Sequence, residues 1–141
     1  VRSRLSRGVP VTTLSWATPE QQKRMLEREI GRLVSGGLPL HRILILSPFR
    51  RENGGLKDVD RIGDWPVIDL GTKGHGIRYA TIRSFKGLES DIVFLIDVRD
   101  SKACTAADIY VGASCAKYML YVLHHEAWRG AGAFHGNRKG L

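Results

Sequence analysis

Two hydrophobic periods take turns along this chain. Residues 10–16 (Pro-Val-Thr-Thr-Leu-Ser-Trp) are rich in β-branched and aromatic types and predict a strand. A helical period follows, with Leu26, Ile30, Leu33 and Val34 on one face and Met25 beside them. Thr18 can cap this helix, Pro19 suits its first position because the missing N–H is harmless there, and Gln21 can close a capping box. Gly36, Gly37 and Pro39 stop it. Residues 43–48 then read Ile-Leu-Ile-Leu-Ser-Pro, an apolar run without alternation, as in a parallel strand buried on both faces.

Residues 50–55 form a polar loop, and the pattern permits a short helix over 56–62 and a strand over 66–70. Gly71, Gly74 and Gly76 mark a loop before two more strands, 78–82 and 91–98, the second apolar without a break from Ile92 to Ile96. Residues 101–117 are mostly good or neutral helix formers, and 118–123 read as a last strand. From His124 onward glycine is frequent and periodicity is absent, which predicts a frayed tail. Strands alternating with helices, some of them apolar on every residue, predict an α/β sheet with helices on both faces. The domain plan is a basic end (1–8), one globular unit (9–123) and a Gly-rich tail (124–141).

Composition narrows the function classes. With 141 residues, 43% apolar and 26% charged, the chain fits one soluble domain and not a disordered polymer. Lys and Arg outnumber Asp and Glu by 22 to 14, a net +8 that suits a polyanion partner. Five of those charges lie in the two ends: Arg2, Arg4 and Arg7, then Arg129, Arg138 and Lys139 against Glu126. Cys104 and Cys115 form neither a disulfide framework nor a metal set, so a reducing cytoplasm is the expected setting. No apolar run is long enough for a bilayer, and residues 1–7 lack the apolar core of a signal peptide. The start at Val1 suggests a piece of a longer protein.

Residues 81–91 (Thr-Ile-Arg-Ser-Phe-Lys-Gly-Leu-Glu-Ser-Asp) hold the densest chemistry. A strand runs into a polar turn and then into another buried strand, and open α/β sheets place ligands at turns beyond the carboxyl ends of strands. The hydroxyls of Thr81 and Ser84 and the cations of Arg83 and Lys86 suit phosphate oxygens, and Gly87 lets a backbone approach closely. A plain solvated loop is the competing reading.

This stretch resembles motif V of UvrD/Rep-type superfamily 1 helicases, close to T-h-H-S-x-K-G-L-E before an apolar strand. Residues 109–117 (Ile-Tyr-Val-Gly-Ala-Ser-Cys-Ala-Lys) look like motif VI of the same family, and the strand 43–48 with Arg50 and Arg51 is similar to motif IV. The resemblance implies the second RecA-like domain (domain 2A) of an ATP-driven DNA helicase, a three-layer, mostly parallel sheet, of the variety lacking a large insert between motifs IV and V. It implies that Thr81, Arg83, Ser84 and Lys86 face DNA as a single strand, with Arg83 where the family usually has His. Gly87, Glu89, Arg50, Arg51, Tyr110 and Ser114 would face ATP and its Mg²⁺, shared with a separate N-terminal RecA-like domain.

Cys115 departs from the pattern. The family has an arginine there, the finger that stabilises charge on the transferred phosphoryl group, a role suited to a planar and permanently charged fork. A thiol cannot supply that charge. Lys117 cannot substitute, since two residues turn a helix by about 200°. Either the parent is degenerate, another arginine takes over, or the position is altered; a buried inert thiol is preferred over a reactive one.

A Walker A loop is absent, and residues 92–97 imitate a Walker B strand but have Val98 where a catalytic Glu belongs, so they read as a core strand. His124, His125 and His135 lack a metal-ligand framework and read as tail residues. Trp16 and Trp65 suit packing over base stacking; Trp128 is open between the two. The charges of the first helix read as a solvated face, with Glu20 and Arg24 an i,i+4 pair. Two functions remain: the motor half of an ATP-dependent DNA helicase, inactive as a hydrolase on its own, or a catalytically degenerate RecA-like module that binds nucleic acid or protein.

Overall fold

The computed structural model describes residues 2–4 and 8–131, the first group and residue 131 by backbone only. The glycine-rich end from residue 132 onward, with His135, Arg138 and Lys139, lies outside the described residues, as do Val1, Leu5, Ser6 and Arg7.

In chain order the strands and helices are β1 (Arg2–Arg4), β2 (Pro10–Trp16), α1 (Pro19–Ser35), β3 (Ile43–Ser47), β4 (Arg61–Ile62), β5 (Trp65–Asp69), β6 (Ile77–Thr81), α2 (Ile82–Phe85), β7 (Ser90–Val98), α3 (Ala106–Ser114) and β8 (Ala116–His125). They build one sheet in the order β1-β2-β8-β7-β3-β6-β5-β4. The six inner strands are parallel, and the short strands at both edges are antiparallel.

The all-apolar runs follow from this placement. Along β3, β7 and β8 successive side chains enter opposite cores. Leu44, Leu46, Val93, Leu95, Leu120 and Val122 pack with Ile82, Phe85, Ile109 and Ala113 of α2 and α3. Ile43, Ile45, Ile92, Phe94, Ile96, Tyr121 and Leu123 pack with Leu26 and Ile30 of α1. Phe94 and Tyr121 stack at 4.3 Å on the α1 side. The fold is therefore a three-layer α/β sandwich, compatible with a RecA-like domain, and the expected class is correct.

Helix starts follow the expected side chains. Thr18 Oγ1 accepts from Gln21 N at 3.3 Å, while Gln21 Oε1 accepts from Ala17 N at 2.7 Å, one residue ahead of a standard box. Several boundaries differ from the sequence reading. Residues 56–62 are not helical: Asp58 is left-handed (φ 63°), and Leu56 and Ile62 are buried as separate anchors on either side of a turn. The helix expected over 101–117 covers only Ala106–Ser114, because Thr105 and Asp108 form a capping box that starts it late and residues 101–104 close a bridged turn. Its lost end joins β8, where Ala116 pairs with Ser90, and β8 also continues two residues beyond 123 to His125. Residues 2–4 of the basic end form an edge strand, Arg2 opposite Thr12.

Between β3 and β7 the connections diverge. The chain leaves β3 toward β5 and β6 on one side, and leaves β7 through α3 toward β8 on the other. This is a topological switch point, where loops separate and leave a crevice at the carboxyl ends of the strands.

Candidate functional site

Three regions hold the residues singled out by sequence. The first is the turn 81–90. Thr81 ends β6 and caps α2, its Oγ1 accepting from Ser84 N at 3.2 Å, and Ser84 Oγ donates to Thr81 O at 3.0 Å. Ile82 and Phe85 are buried beneath, which leaves Arg83, Ser84, Lys86, Gly87, Leu88 and Glu89 exposed. Gly87 is left-handed (φ 84°) with open space on its Cβ side. Contrary to the expectation from sequence, the turn does not stay at the carboxyl edge. It starts there at Thr81 and delivers Gly87 and Glu89 to the amino end of β7, because α2 is only one turn long and the parallel β7 must be entered from below.

The second region is α3. It packs on α2 so closely that a Cβ on Gly112 would lie 3.1 Å from Ile82 Cδ1 and from Leu95 Cδ1. Ser90 N donates to Cys115 O at 2.9 Å, which ties the end of the turn to the end of α3. Gly87, Glu89 and Ser114 therefore share one edge. Tyr110 is 71% exposed, and Ser114 Oγ turns back to donate to Val111 O at 2.6 Å. Cys115 is only 2% exposed, and its Sγ donates to Val111 O at 3.4 Å. The position of the expected finger faces the core. Burial pushes the other thiol, Cys104, above its ordinary pKa.

The third region follows β3. Arg50 is exposed, whereas Arg51 is committed to the fold: it donates to Val59 O at 2.8 Å and Val67 O at 3.3 Å, and pairs with Asp69 at 3.6 Å. Both follow the carboxyl end of β3, so topology puts them at the opposite edge from Gly87 and Glu89. The structure brings the motif V-like and motif VI-like residues together and leaves the two arginines apart.

The sequence reading took residues 92–97 as a core strand and missed the polar network at its end. Asp97, 3% exposed and left-handed (φ 59°), ends the apolar run of β7. Its Oδ1 accepts from Gln22 Nε2 and from Gly55 N, both at 2.9 Å, and its Oδ2 accepts from Ser47 Oγ at 2.7 Å. Asp97 N in turn donates to Gln22 Oε1 at 2.7 Å. Ser47 Oγ accepts from Phe49 N, and Tyr79 OH donates to Phe49 O at 2.7 Å. The burial that closes this network pushes the Tyr79 hydroxyl well above its ordinary pKa. The loop 48–55 is thus pinned to β3, β6 and β7 at the switch point. The polar Asp closing an apolar run was the available signal, and its pairing with Gln22, 75 residues away, was not.

Beside this network, at the carboxyl ends of β2, β7 and β8, a cavity of about 500 Å³ is lined by Trp16, His125, Trp128, Arg99 and Asn53 among others. Trp16 and His125 therefore belong to one wall, although the sequence reading assigned the histidine to a tail.

The arrangement does not complete a phosphate site for ATP. Gly87, Glu89 and Ser114 are adjacent, but Cys115 brings no charge to that edge and Arg51 is occupied elsewhere, so no hydrolytic step follows from these residues. Among the described residues no group of three or more His, Cys, Asp or Glu could hold a metal ion, and no helix is long and apolar enough to cross a membrane. No family model matches the chain, and no curated protein matches it.

Proposed function

We propose that this chain is the second RecA-like domain of a UvrD/Rep-type DNA helicase or translocase, shorn of its arginine finger. The observation that carries this reading is the contact between α2 and α3, which sets Gly87 and Glu89 beside Ser114, as the resemblance to motifs V and VI requires. The exposed Arg83 and Lys86 supply cations for DNA phosphates, and such contacts dominate affinity for single strands. ATP and Mg²⁺ would be held mainly by a first RecA-like domain, with this chain contributing the Gly87–Glu89 edge.

The buried Cys115 favours a second reading, a degenerate module that binds nucleic acid without contributing to hydrolysis. The gene sequence upstream of Val1 separates these from unrelated functions: a Walker A loop there supports both, and its absence sinks the helicase reading. Cys115→Arg in a protein that includes the upstream domain then chooses between them. A large gain in DNA-stimulated ATPase supports a motor that has lost its finger, and no gain in a variant shown to be folded by circular dichroism supports the binding module. On its own the chain is expected to bind single-stranded DNA weakly and salt-sensitively, without ATPase activity.

A further inference from the structure

We infer that the cavity at the carboxyl edge holds one nucleotide unit of a single-stranded nucleic acid, its base against Trp128 and His125 and its phosphate on Arg99. This rests on the DNA-binding part of the proposed function and assigns it a site that the helicase-like motifs do not contain.

The cavity has the size of a small-ligand pocket, about 500 Å³, and its walls are aromatic where β2 and β8 end. Trp16 and His125 meet edge to face at 5.1 Å. Trp128 is half-buried against the core, its ring 5.3 Å from that of His124, and its backbone N–H donates to His125 O at 3.0 Å. A ring held in place yet partly open is a stacking platform, and stacking accepts any base because every base offers a π-face.

Charge selects the occupant. Arg99 lines the cavity, is exposed, and lies over the Phe49 ring at 4.5 Å, with no ion pair among the described residues. Arg50 and Arg83 are also exposed and outside any ion pair among the described residues; they follow β3 and β6. Across the order β8-β7-β3-β6, the carboxyl edge therefore presents the aromatic cavity, then Arg99, Arg50 and Arg83. The acids in the wall are already engaged. Asp100 accepts from Arg129 at 3.1 Å, and Asp97 accepts from Gln22, Ser47 and Gly55. A chain of phosphates carrying unstacked bases uses both the aromatic end and the cationic row. On this geometry Arg50 serves the strand and not ATP.

The test measures anisotropy of a labelled oligothymidylate of about 16 residues, a length that fills such grooves, and tryptophan emission, at about 50 mM salt, where phosphate contacts count most. Wild type is expected to bind with quenched emission. Trp128→Leu should weaken binding about tenfold and abolish most of the quenching; Arg99→Ala should weaken it about threefold to tenfold, as befits one lost phosphate contact. Both variants are checked by circular dichroism. If Trp128→Leu fails to fold, Arg99→Ala and the wild-type quenching decide the matter, since Arg99 is exposed.

Binding weakened by Arg83→Ala and Lys86→Ala but indifferent to Arg99→Ala, with unquenched emission, overturns this site and leaves the proposed function standing. Dependence on Trp128 and Arg99 with indifference to Arg83 and Lys86 upholds the site and removes the motif V-like turn from the DNA face. Absence of any single-strand binding overturns both. Thymidine monophosphate quenching as strongly as the oligonucleotide, at equal concentration, overturns the nucleic-acid strand in favour of a free mononucleotide.

Discussion

Removing the Asp97 carboxyl should cost more than any other single polar deletion in this protein. Asp97→Ala withdraws the acceptor from three donors on three separate segments: Gln22 on α1, Ser47 on β3 and Gly55 in the loop after it. A buried donor left without a partner costs about 1–3 kcal/mol. Gln22 Nε2 bears this in full, because Gln22 is 0% exposed. Ser47 can rotate its hydroxyl, and Gly55 N is only part-buried, so these two lose less. Alanine at φ 59° adds roughly 1 kcal/mol of left-handed strain that Asp and Asn tolerate better. The expected sum is about 3–5 kcal/mol, which for a chain of this length lowers Tm by roughly 10–20 °C. Asp97→Asn keeps the shape and one acceptor and should cost about 1 kcal/mol. Urea unfolding followed by far-UV circular dichroism reads both values, and proteolysis reads release of the loop 48–55. A loss below about 1 kcal/mol for Asp97→Ala, or equal losses for the two variants, would refute the reasoning.

Other consequences are equally direct. Tyr79 has its folded pKa raised above the ordinary 10.0, so the native state holds this proton more tightly than the unfolded chain. The corresponding stability is complete below pH 10.0 and is lost as pH rises above it; Tyr79→Phe should flatten this alkaline loss in urea midpoints while costing about 1 kcal/mol at neutral pH for the bond to Phe49. Cys104, buried and with its thiolate disfavoured, should react with iodoacetamide at mildly alkaline pH far more slowly in the native protein than in urea, and equal rates would contradict its placement. Cys115→Arg forces a charge and extra volume into a site that is 2% exposed, and should cost about 2–4 kcal/mol in the same unfolding assay. Gly112→Val should wedge α2 from α3, since its Cβ alone would lie 3.1 Å from Ile82 Cδ1, at a cost of about 1–3 kcal/mol; a neutral result would break the link between the two motif-like segments.

Much of the sheet was legible before folding because burial on both faces removes alternation. Residues 43–48 and 91–98 could be read as inner parallel strands for that reason, and both are. The first helix was legible through Thr18 and Pro19, whose effects are local. Segments whose state depends on distant partners were not. Residues 116–117 (Ala-Lys) favour helix by composition, and the pairing of Ala116 with Ser90 overrides that preference. His124 and His125 looked like tail residues, yet they pair with Ser15 and Trp16 at the end of β2. The candidate site divides in the same way. Thr81, Ser84, Lys86 and Gly87 stood out by local chemistry, whereas Arg51 is removed from service by carbonyls on two other segments.

By itself the sequence determined the layer architecture, the polar turn after β6 and the absence of an arginine at position 115, since each depends on residue type or short-range period. Tertiary structure alone decided which edge each residue reaches, and that Asp97, Gln22 and Ser47 meet, whereas the burial of Cys115 agrees with the inert thiol that the sequence favoured. Edge and orientation follow from strand order and parallel crossovers, and these come from packing two apolar faces at once. Residues as far apart as Gln22 and Asp97 acquire a common role only when the sheet has closed around them.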